Sequence, residues 1–289
     1  MSDADLAIDV QDVVLKLGRF TLGPISLQAE TGMVHALIGA NGAGKTTLID
    51  TMIGLAEPDS GDLRILGLRR GPDDVKIKAR VGYVSPNQTF APWGTVGRAL
   101  DFISGFYPDW DDGRCQDLLN RFGLYKPAKI STLSFGARTK LSLVMALSRN
   151  ADLLLLDEPT VGLDAQARHL LFTELLKIME RGDKTILISS HDLVDLERIA
   201  DSVILIHKGR VKAQGRMDAL TSRFVQIDTE GGDIAAPGWK RLSRTGARTT
   251  WLVDRDITGT SPFTSPADVK LISETPLALE DLFLALTQD

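Results

Sequence analysis

Apolar positions at Ile8, Val10, Val13, Val14 and Leu15 read as a strand, and residues 25–29 read as a second, closed by the Thr31-Gly32 turn. Short, largely apolar runs follow. Val34–Ile38 is a strand, and Thr47 to Leu55 is helical, with Leu48, Ile49, Met52 and Ile53 roughly on one face. That helix stops at the turn formers Glu57-Pro58-Asp59-Ser60-Gly61. Leu63–Leu66 and Val81–Val84 are strand-sized, the second after the basic stretch Lys76–Arg80. Residues 85–135 change character: they hold Pro86, Pro92, Pro108, Pro127 and several aromatics, and Arg114 to Phe122 predicts a helix. Roughly 86–150 therefore reads as a mostly helical insertion in a sheet-bearing core. Leu153-Leu154-Leu155-Leu156, running into Asp157-Glu158, suits a strand buried on both faces of a parallel sheet. A helix at about 165–180, a strand Thr185–Ser189 ending at His191, a helix over 192–200 and a hairpin around Lys208-Gly209 complete this part. After about residue 220 the pattern weakens to strands at Phe224–Asp228, Thr249–Val253 and Val269–Ile272 and an apolar helix Leu277 to Leu286. The alternation predicts an α/β fold, mostly parallel, with its ligand at the carboxyl ends of the strands.

The segment between the strand Val34–Ile38 and the helix after it gives that ligand a chemistry. Gly39-Ala40-Asn41-Gly42-Ala43-Gly44-Lys45-Thr46 has the G-x-x-x-x-G-K-T spacing of a P-loop. Glycines let successive backbone N–H groups point into one concavity and hold phosphate oxygens. The helix opening at Thr47 adds its positive end. Lys45 is expected to reach the outer phosphates and the Thr46 hydroxyl to ligate Mg²⁺. Strand, loop and helix in this order set the segment apart from a flexible glycine-rich turn, so the chain is expected to bind a nucleoside triphosphate.

Hydrolysis further requires a held Mg²⁺ and an aimed water, since positioning and charge neutralisation do most of the work in phosphoryl transfer. Asp157 suits the metal, through water, and Glu158 is placed to orient and deprotonate the attacking water. His191, just beyond the strand 185–189, suits a hydrogen bond near the γ-phosphate. Ser190-His191-Asp192 is no catalytic triad, because three consecutive residues cannot converge on one substrate atom. Ser134 is a candidate N-cap for a helix running to Ser148, a second anion-binding helix start.

Composition narrows the class. The chain has 289 residues, 43% hydrophobic and 25% charged, enough for a large domain with a small appendage. A net charge of −5 gives no whole-chain footprint for nucleic acid. The single cysteine, Cys115, excludes an intramolecular disulfide framework and a cysteine zinc site. Met1 to Asp9 is acidic and short, unlike a signal peptide. No apolar run approaches the ~18–20 residues that span a bilayer, so any spanning part is expected from another chain. Lys240, Arg241, Arg244, Arg248 and Arg255 form a loose basic region, read as a solvated face against the alternative of a partner or anionic lipid surface.

Together these segments resemble the nucleotide-binding subunit of an ATP-binding cassette (ABC) transporter. Residues 39–46 resemble Walker A and Leu153–Glu158 Walker B with its catalytic glutamate. Leu133-Ser134-Phe135-Gly136-Ala137 resembles the LSGGQ signature, Gly162-Leu163-Asp164 the D-loop, and His191 the switch histidine. The resemblance covers roughly residues 8–215. It implies a P-loop NTPase core (residues 1–220) with an antiparallel β subdomain and a helical subdomain, and a small α+β extension at 221–289. It implies ATP and Mg²⁺ as cofactors, with nucleotide held by residues 39–46, Thr47, Ser134 and Gly136, metal by Thr46 and Asp157, and catalysis by Glu158 and His191. It implies a head-to-tail pair, of two copies or of this chain with a relative, closing over ATP. A transmembrane permease is the implied partner, with no nucleic acid, and the place a peripheral one on the cytoplasmic face of the inner membrane. Three departures alter the pattern. Leu17 stands where the family stacks an aromatic on adenine, leaving Phe20 as a substitute. Pro86 stands where the Q-loop glutamine belongs, so Asn87 or Gln88 must take over; Gln88 is the expected metal-side residue. Phe135 and Ala137 replace a signature glycine and glutamine. Phe106-Tyr107-Pro108-Asp109-Trp110-Asp111, Ser189-Ser190-His191 and Pro276–Phe283 are similar to bacterial exporter-type ATPases, which favours export. In this family residues near 85–95 receive a coupling helix, and Phe90 and Trp93 suit its socket. The competing expectations are a soluble mechanical ABC ATPase acting on DNA or ribosomes and an ATP-gated clamp with little hydrolysis. A guanine-specific enzyme is disfavoured, because no N-K-x-D segment occurs.

Overall fold

The computed structural model describes residues 6–90, 93–258 and 269–287. Pro92 and the first five residues of the acidic N-terminal stretch lie outside them. The chain divides into two compact units, Met1–Ala213 and Gln214–Asp289.

The first unit runs β1 (Leu6–Leu17), β2 (Phe20–Glu30), β3 (Val34–Ile38), α1 (Lys45–Ile53), β4 (Ser60–Ile65), β5 (Leu68–Arg69), α2 (Asp74–Arg80) and β6 (Val81–Val84). It continues with α3 (Val96–Ser104), α4 (Asp112–Phe122), α5 (Phe135–Leu147), β7 (Leu153–Asp157), α6 (Ala165–Met179), β8 (Thr185–Ser190), α7 (Leu193–Glu197), β9 (Ser202–His207) and β10 (Arg210–Arg216), whose last residues pass into the second unit. A six-stranded sheet has the order β10-β9-β3-β8-β7-β6. Its pairs β3–β8, β3–β9, β7–β8 and β6–β7 are parallel. A separate sheet of order β2-β1-β4-β5 is antiparallel. One buried cluster joins the two sheets and α1, through Ile8, Leu22, Leu37, Leu48, Met52 and Leu155 among others.

All five residues of β7 are buried, as a strand covered on both faces requires. Burying each of its leucines contributes about 1.5–3 kcal/mol. The parallel register then does the functional work. Ile38 lies opposite Ser190, and Asp157 opposite Ser189. The carboxyl ends of β3, β8 and β7 thus stand side by side, bringing three distant parts of the chain to one edge.

Helix starts follow local chemistry. Ser134 caps α5, its hydroxyl accepting from Ala137 N at 3.2 Å, and Asp164 caps α6 by accepting from Ala167 N at 2.8 Å. α1 starts at Lys45, two residues earlier than the apolar pattern suggests, because Gly44 takes the left-handed φ of 108° that turns the loop into the helix. Lys76–Arg80, featureless by pattern, belongs to α2; Asp74 sits in its first turn and Lys78 and Arg80 in its last, matching the helix dipole. The expected 192–200 helix is shorter, ending at Glu197.

The second unit holds α8 (Met217–Arg223), β11 (Phe224–Gly231), β12 (Trp239–Thr245), β13 (Arg248–Asp254), α9 (Arg255–Thr258), β14 (Val269–Pro276) and α10 (Leu279–Thr287). Its sheet, of order β12-β13-β11-β14, is antiparallel throughout. Val225, Ile227, Trp251 and Val253 form its core, with Trp239 packed at the edge. The loose basic region is largely internal bookkeeping of charge: Arg241 pairs with Asp233, Arg248 with Asp228, and Arg255 with Glu274.

Candidate functional site

The loop after β3 opens a cleft of about 580 Å³ lined by Ala40, Asn41, Gly42, Gly44, Lys45, Thr46 and Thr47 on one side and by Glu158, Val161 and His191 on the other. Gly39 and Ala43 belong to the same loop. The Gly39 carbonyl accepts from the Lys45 ammonium at 2.7 Å, and Ala43 is buried, with its N–H donating to Ala40 O at 3.0 Å. Gly44 has φ 108°, and a Cβ there would lie 3.0 Å from both the Leu22 and Phe20 side chains, so another residue would be strained and would have to displace them.

Asp157 is wholly buried at the end of β7. One carboxylate oxygen accepts from Thr46 Oγ1 at 2.8 Å and the other from Ser189 Oγ at 2.6 Å. The Ser189 oxygen in turn accepts from Glu158 N at 2.9 Å. Burial pushes the Asp157 carboxyl above the usual aspartate range; the nearby Glu158 and Asp50 charges add to this, and the Ser189 and Thr46 hydrogen bonds oppose it. A buried carboxylate between hydroxyls is an environment that a cation would relieve.

Glu158 takes a left-handed backbone, φ 46°, uncommon outside glycine. That bend aims its carboxylate back over the loop. One oxygen lies 3.1 Å from Lys45 Nζ, both side chains being largely buried, and the other accepts from His191 Nδ1 at 2.9 Å. The ring is thereby oriented with Nδ1 on Glu158, a donor to it in the Nδ1–H tautomer. Lys45, Thr46, Asp157, Glu158 and His191, drawn from three segments, are thus linked by direct contacts.

Ser134 and Gly136 are not among the residues lining this cleft. Ser134 is exposed, and a Cβ on Gly136 would fall 2.1 Å from Gly162 O, so a close backbone approach requires glycine there. Gln88 departs from its expected place at the metal. Its amide donates to Tyr83 O at 3.3 Å, and it lines a different groove, while Pro86 lines the cleft. The backbone course around Pro86 decides this, turning Gln88 back toward β6. Phe20 lines the cleft, and Leu17 is 48% exposed and does not.

Pattern reading missed Asp50 and Tyr83, and gave Ser189 no role at the site. Tyr83 donates to Asp50 at 2.9 Å, and its phenol is pushed up chiefly by burial. Asp50 follows Thr46 by one helical turn, a spacing that could have flagged it.

The groove holding Gln88 encloses about 480 Å³ and includes Leu55, Tyr83, Phe90 and Trp93. Edge and tilted ring contacts run from Phe90 to Trp93 (6.1 Å), Trp93 to Phe102 (5.0 Å) and Phe102 to Phe106 (5.1 Å). Phe102 and Phe106 are 54% and 63% exposed, an apolar patch of the kind that marks an interaction surface. No helix among the described residues is long and apolar enough to cross a membrane.

Comparison with known proteins agrees with this geometry. The profile of the family described as ABC transporter matches residues 22–161. The chain is 32% identical to Nod factor export ATP-binding protein I of Paraburkholderia xenovorans, covering 98% of this chain and 97% of that protein. A solved ATP-binding subunit of an ABC transporter is similar at 29% identity with a TM-score of 0.69, over 75% of this chain and 92% of that one. A dimeric ATP-binding cassette in a post-hydrolysis state with ADP and Pi shares the fold, at 21% identity and a TM-score of 0.63, over 73% and 98%.

Proposed function

The chain belongs to the ABC transporter family, as an ATP-binding subunit with ATPase activity, and from that premise we propose which residues do the work and with what partners. The observation that carries the assignment is the linked set Lys45, Thr46, Asp157, Glu158 and His191 around one cleft. Residues 39–47 hold the triphosphate through backbone N–H groups, the positive end of α1 and Lys45. Binding draws Lys45 from Glu158 toward phosphate oxygens and frees the carboxylate. Glu158 then takes the proton of the attacking water, and the His191 Nδ1–H holds its second oxygen in place.

Thr46 and Asp157 fit Mg²⁺. Among the described residues no three His, Cys, Asp or Glu side chains cluster as a self-sufficient metal site. That suits an ion bound by one or two protein oxygens plus substrate phosphates and water. An ion held there would neutralise negative charge on the triphosphate.

Ser134 and Gly136, off the cleft of their own chain, suit contact with nucleotide held by a second ATPase subunit, and the dimeric cassette of the same fold supports that arrangement. The aromatic groove at Phe90 and Trp93 suits a transmembrane permease subunit, which would place the chain at the cytoplasmic face of the membrane. Similarity to a Nod factor export ATP-binding protein supports export. Residues 1–220 then form the ATPase domain and 221–289 an accessory region.

The test is ATP turnover by the purified chain and by Glu158→Gln, with sizing in Mg·ATP. Turnover should fall about 10²-fold or more, as general-base loss implies, and the variant should accumulate as an ATP-bound dimer. Undiminished turnover removes Glu158 from its role; absence of any nucleotide-dependent dimer removes the composite site. Recovery of a permease with the chain from membranes tests the partner.

A further inference from the structure

Glu158 opens a loop that runs to Asp164 between β7 and α6, and its left-handed backbone persists only if the surroundings over-determine it. The loop's own bonds are few: Val161 N to Glu158 O at 3.2 Å and Leu163 N to Thr160 O at 3.1 Å. Ser189, Lys45 and His191 hold Glu158 itself, and the start of α5 holds the residues after it. The Phe135 ring lies on Gly162 so closely that a Cβ there would be 2.5 Å from Phe135 Cδ1, and Gly162 itself has φ 79°. Gly136 abuts Gly162 O, as above. Thr139 Oγ1 bonds Val161 O at 3.3 Å, and Lys140 Nζ bonds the Asp164 carboxylate at 2.8 Å. Residues 161, 162 and 164 are thus each tied to α5, and Val161 shares the cleft wall with Glu158 and His191.

We propose that Phe135, Thr139 and Lys140 are positioning residues for Glu158, bracing the Glu158–Asp164 loop from the same chain. This rests on the catalytic reading of Glu158. Phe135 then has its own role in a segment that otherwise reads as an anion-binding helix start: its ring and the missing side chain of Gly162 are complementary surfaces. None of the three lines the cleft of its own chain, so their loss acts on the placement of Glu158 and leaves that chain's own nucleotide contacts, residues 39–47, in place.

The experiment uses the full chain with Phe135→Ala, Phe135→Tyr and Thr139→Val. It reads ATP turnover, the Kd of a fluorescent ATP analogue, and amide hydrogen exchange at residues 160–164. Phe135→Ala should lower kcat about 10–100-fold, the range expected of a ~1 Å misplacement. Its Kd, measured on the monomeric chain, should hold and its loop exchange rise, while Phe135→Tyr should match the parent chain in turnover, Kd and exchange. Thr139→Val, near-isosteric, should give the same split more mildly, and it keeps the question open to test if Phe135→Ala fails to fold. Unchanged loop exchange in a folded variant overturns the brace, whatever turnover does; raised exchange with undiminished turnover overturns the positioning role. If Glu158→Gln retains turnover while the exchange results stand, the catalytic reading has failed and the brace has not.

Discussion

Replacing Ser189 by alanine removes one hydroxyl that serves two buried groups. It donates to Asp157 at 2.6 Å and accepts from Glu158 N at 2.9 Å, and both Ser189 and Asp157 are 0% exposed. A hydrogen bond to a charged group is worth about 1.5–3 kcal/mol and a neutral one about 0.5–1.5. Losing both, with a carboxylate oxygen left unsatisfied, costs on the order of 3 kcal/mol. For a unit of this size each kcal/mol shifts Tm by about 2–4 °C, so thermal unfolding followed by circular dichroism should drop by roughly 6–12 °C. The charge on Asp157 is the source of most of that loss. Adding Asp157→Asn in the Ser189→Ala background should therefore return part of it, a coupling a double-mutant cycle measures directly. A shift under about 2 °C for the single variant, or strict additivity in the cycle, would refute the reasoning.

Two further expectations concern other groups. His35 is buried, with its ring nitrogens 2.8 Å from Ser202 Oγ and from Glu30 O. The carbonyl only accepts, so Nε2 carries the proton. Burial lowers its pKa, against opposing contributions from Glu30 and Asp201. Below about pH 6.5 the unfolded chain takes up a proton that the folded chain resists, so stability falls as pH drops from there toward the lowered folded pKa, and above about pH 6.5 it is indifferent to His35. Urea midpoints should show this acid slope flattened in His35→Gln; an identical slope in the variant would count against it. Phe20→Ala should weaken ATP binding by about 1–3 kcal/mol, roughly 5–150-fold, as loss of a base-stacking ring does. Leu17→Ala should leave it unchanged, and equal effects at both positions would discard Phe20 as the nucleobase platform.

Much of the first unit was legible in order along the chain, because its signals are local. The P-loop is a backbone demand on consecutive residues, β7 an unbroken apolar run, and the start of α5 a capping serine. β12 was not legible: it is an edge strand with little burial, so its basic residues carry no alternating pattern. α2 hid for a related reason, with Ile77 its only buried residue. Gln88 shows where local reading misleads, since spacing from a motif says nothing of which wall a side chain reaches once the backbone turns at Pro86.

By itself, then, the amino-acid order determined the class of ligand, the succession of strands and helices, and the identity of Lys45, Thr46, Asp157, Glu158 and His191 as candidates. Tertiary structure alone decided that Ser189 holds Asp157, that Glu158 meets both Lys45 and His191, and that Phe135 rests on Gly162. Those contacts join residues far apart in the chain. Whether they meet depends on strand register and the direction of side chains across packed elements, which no short window of sequence contains.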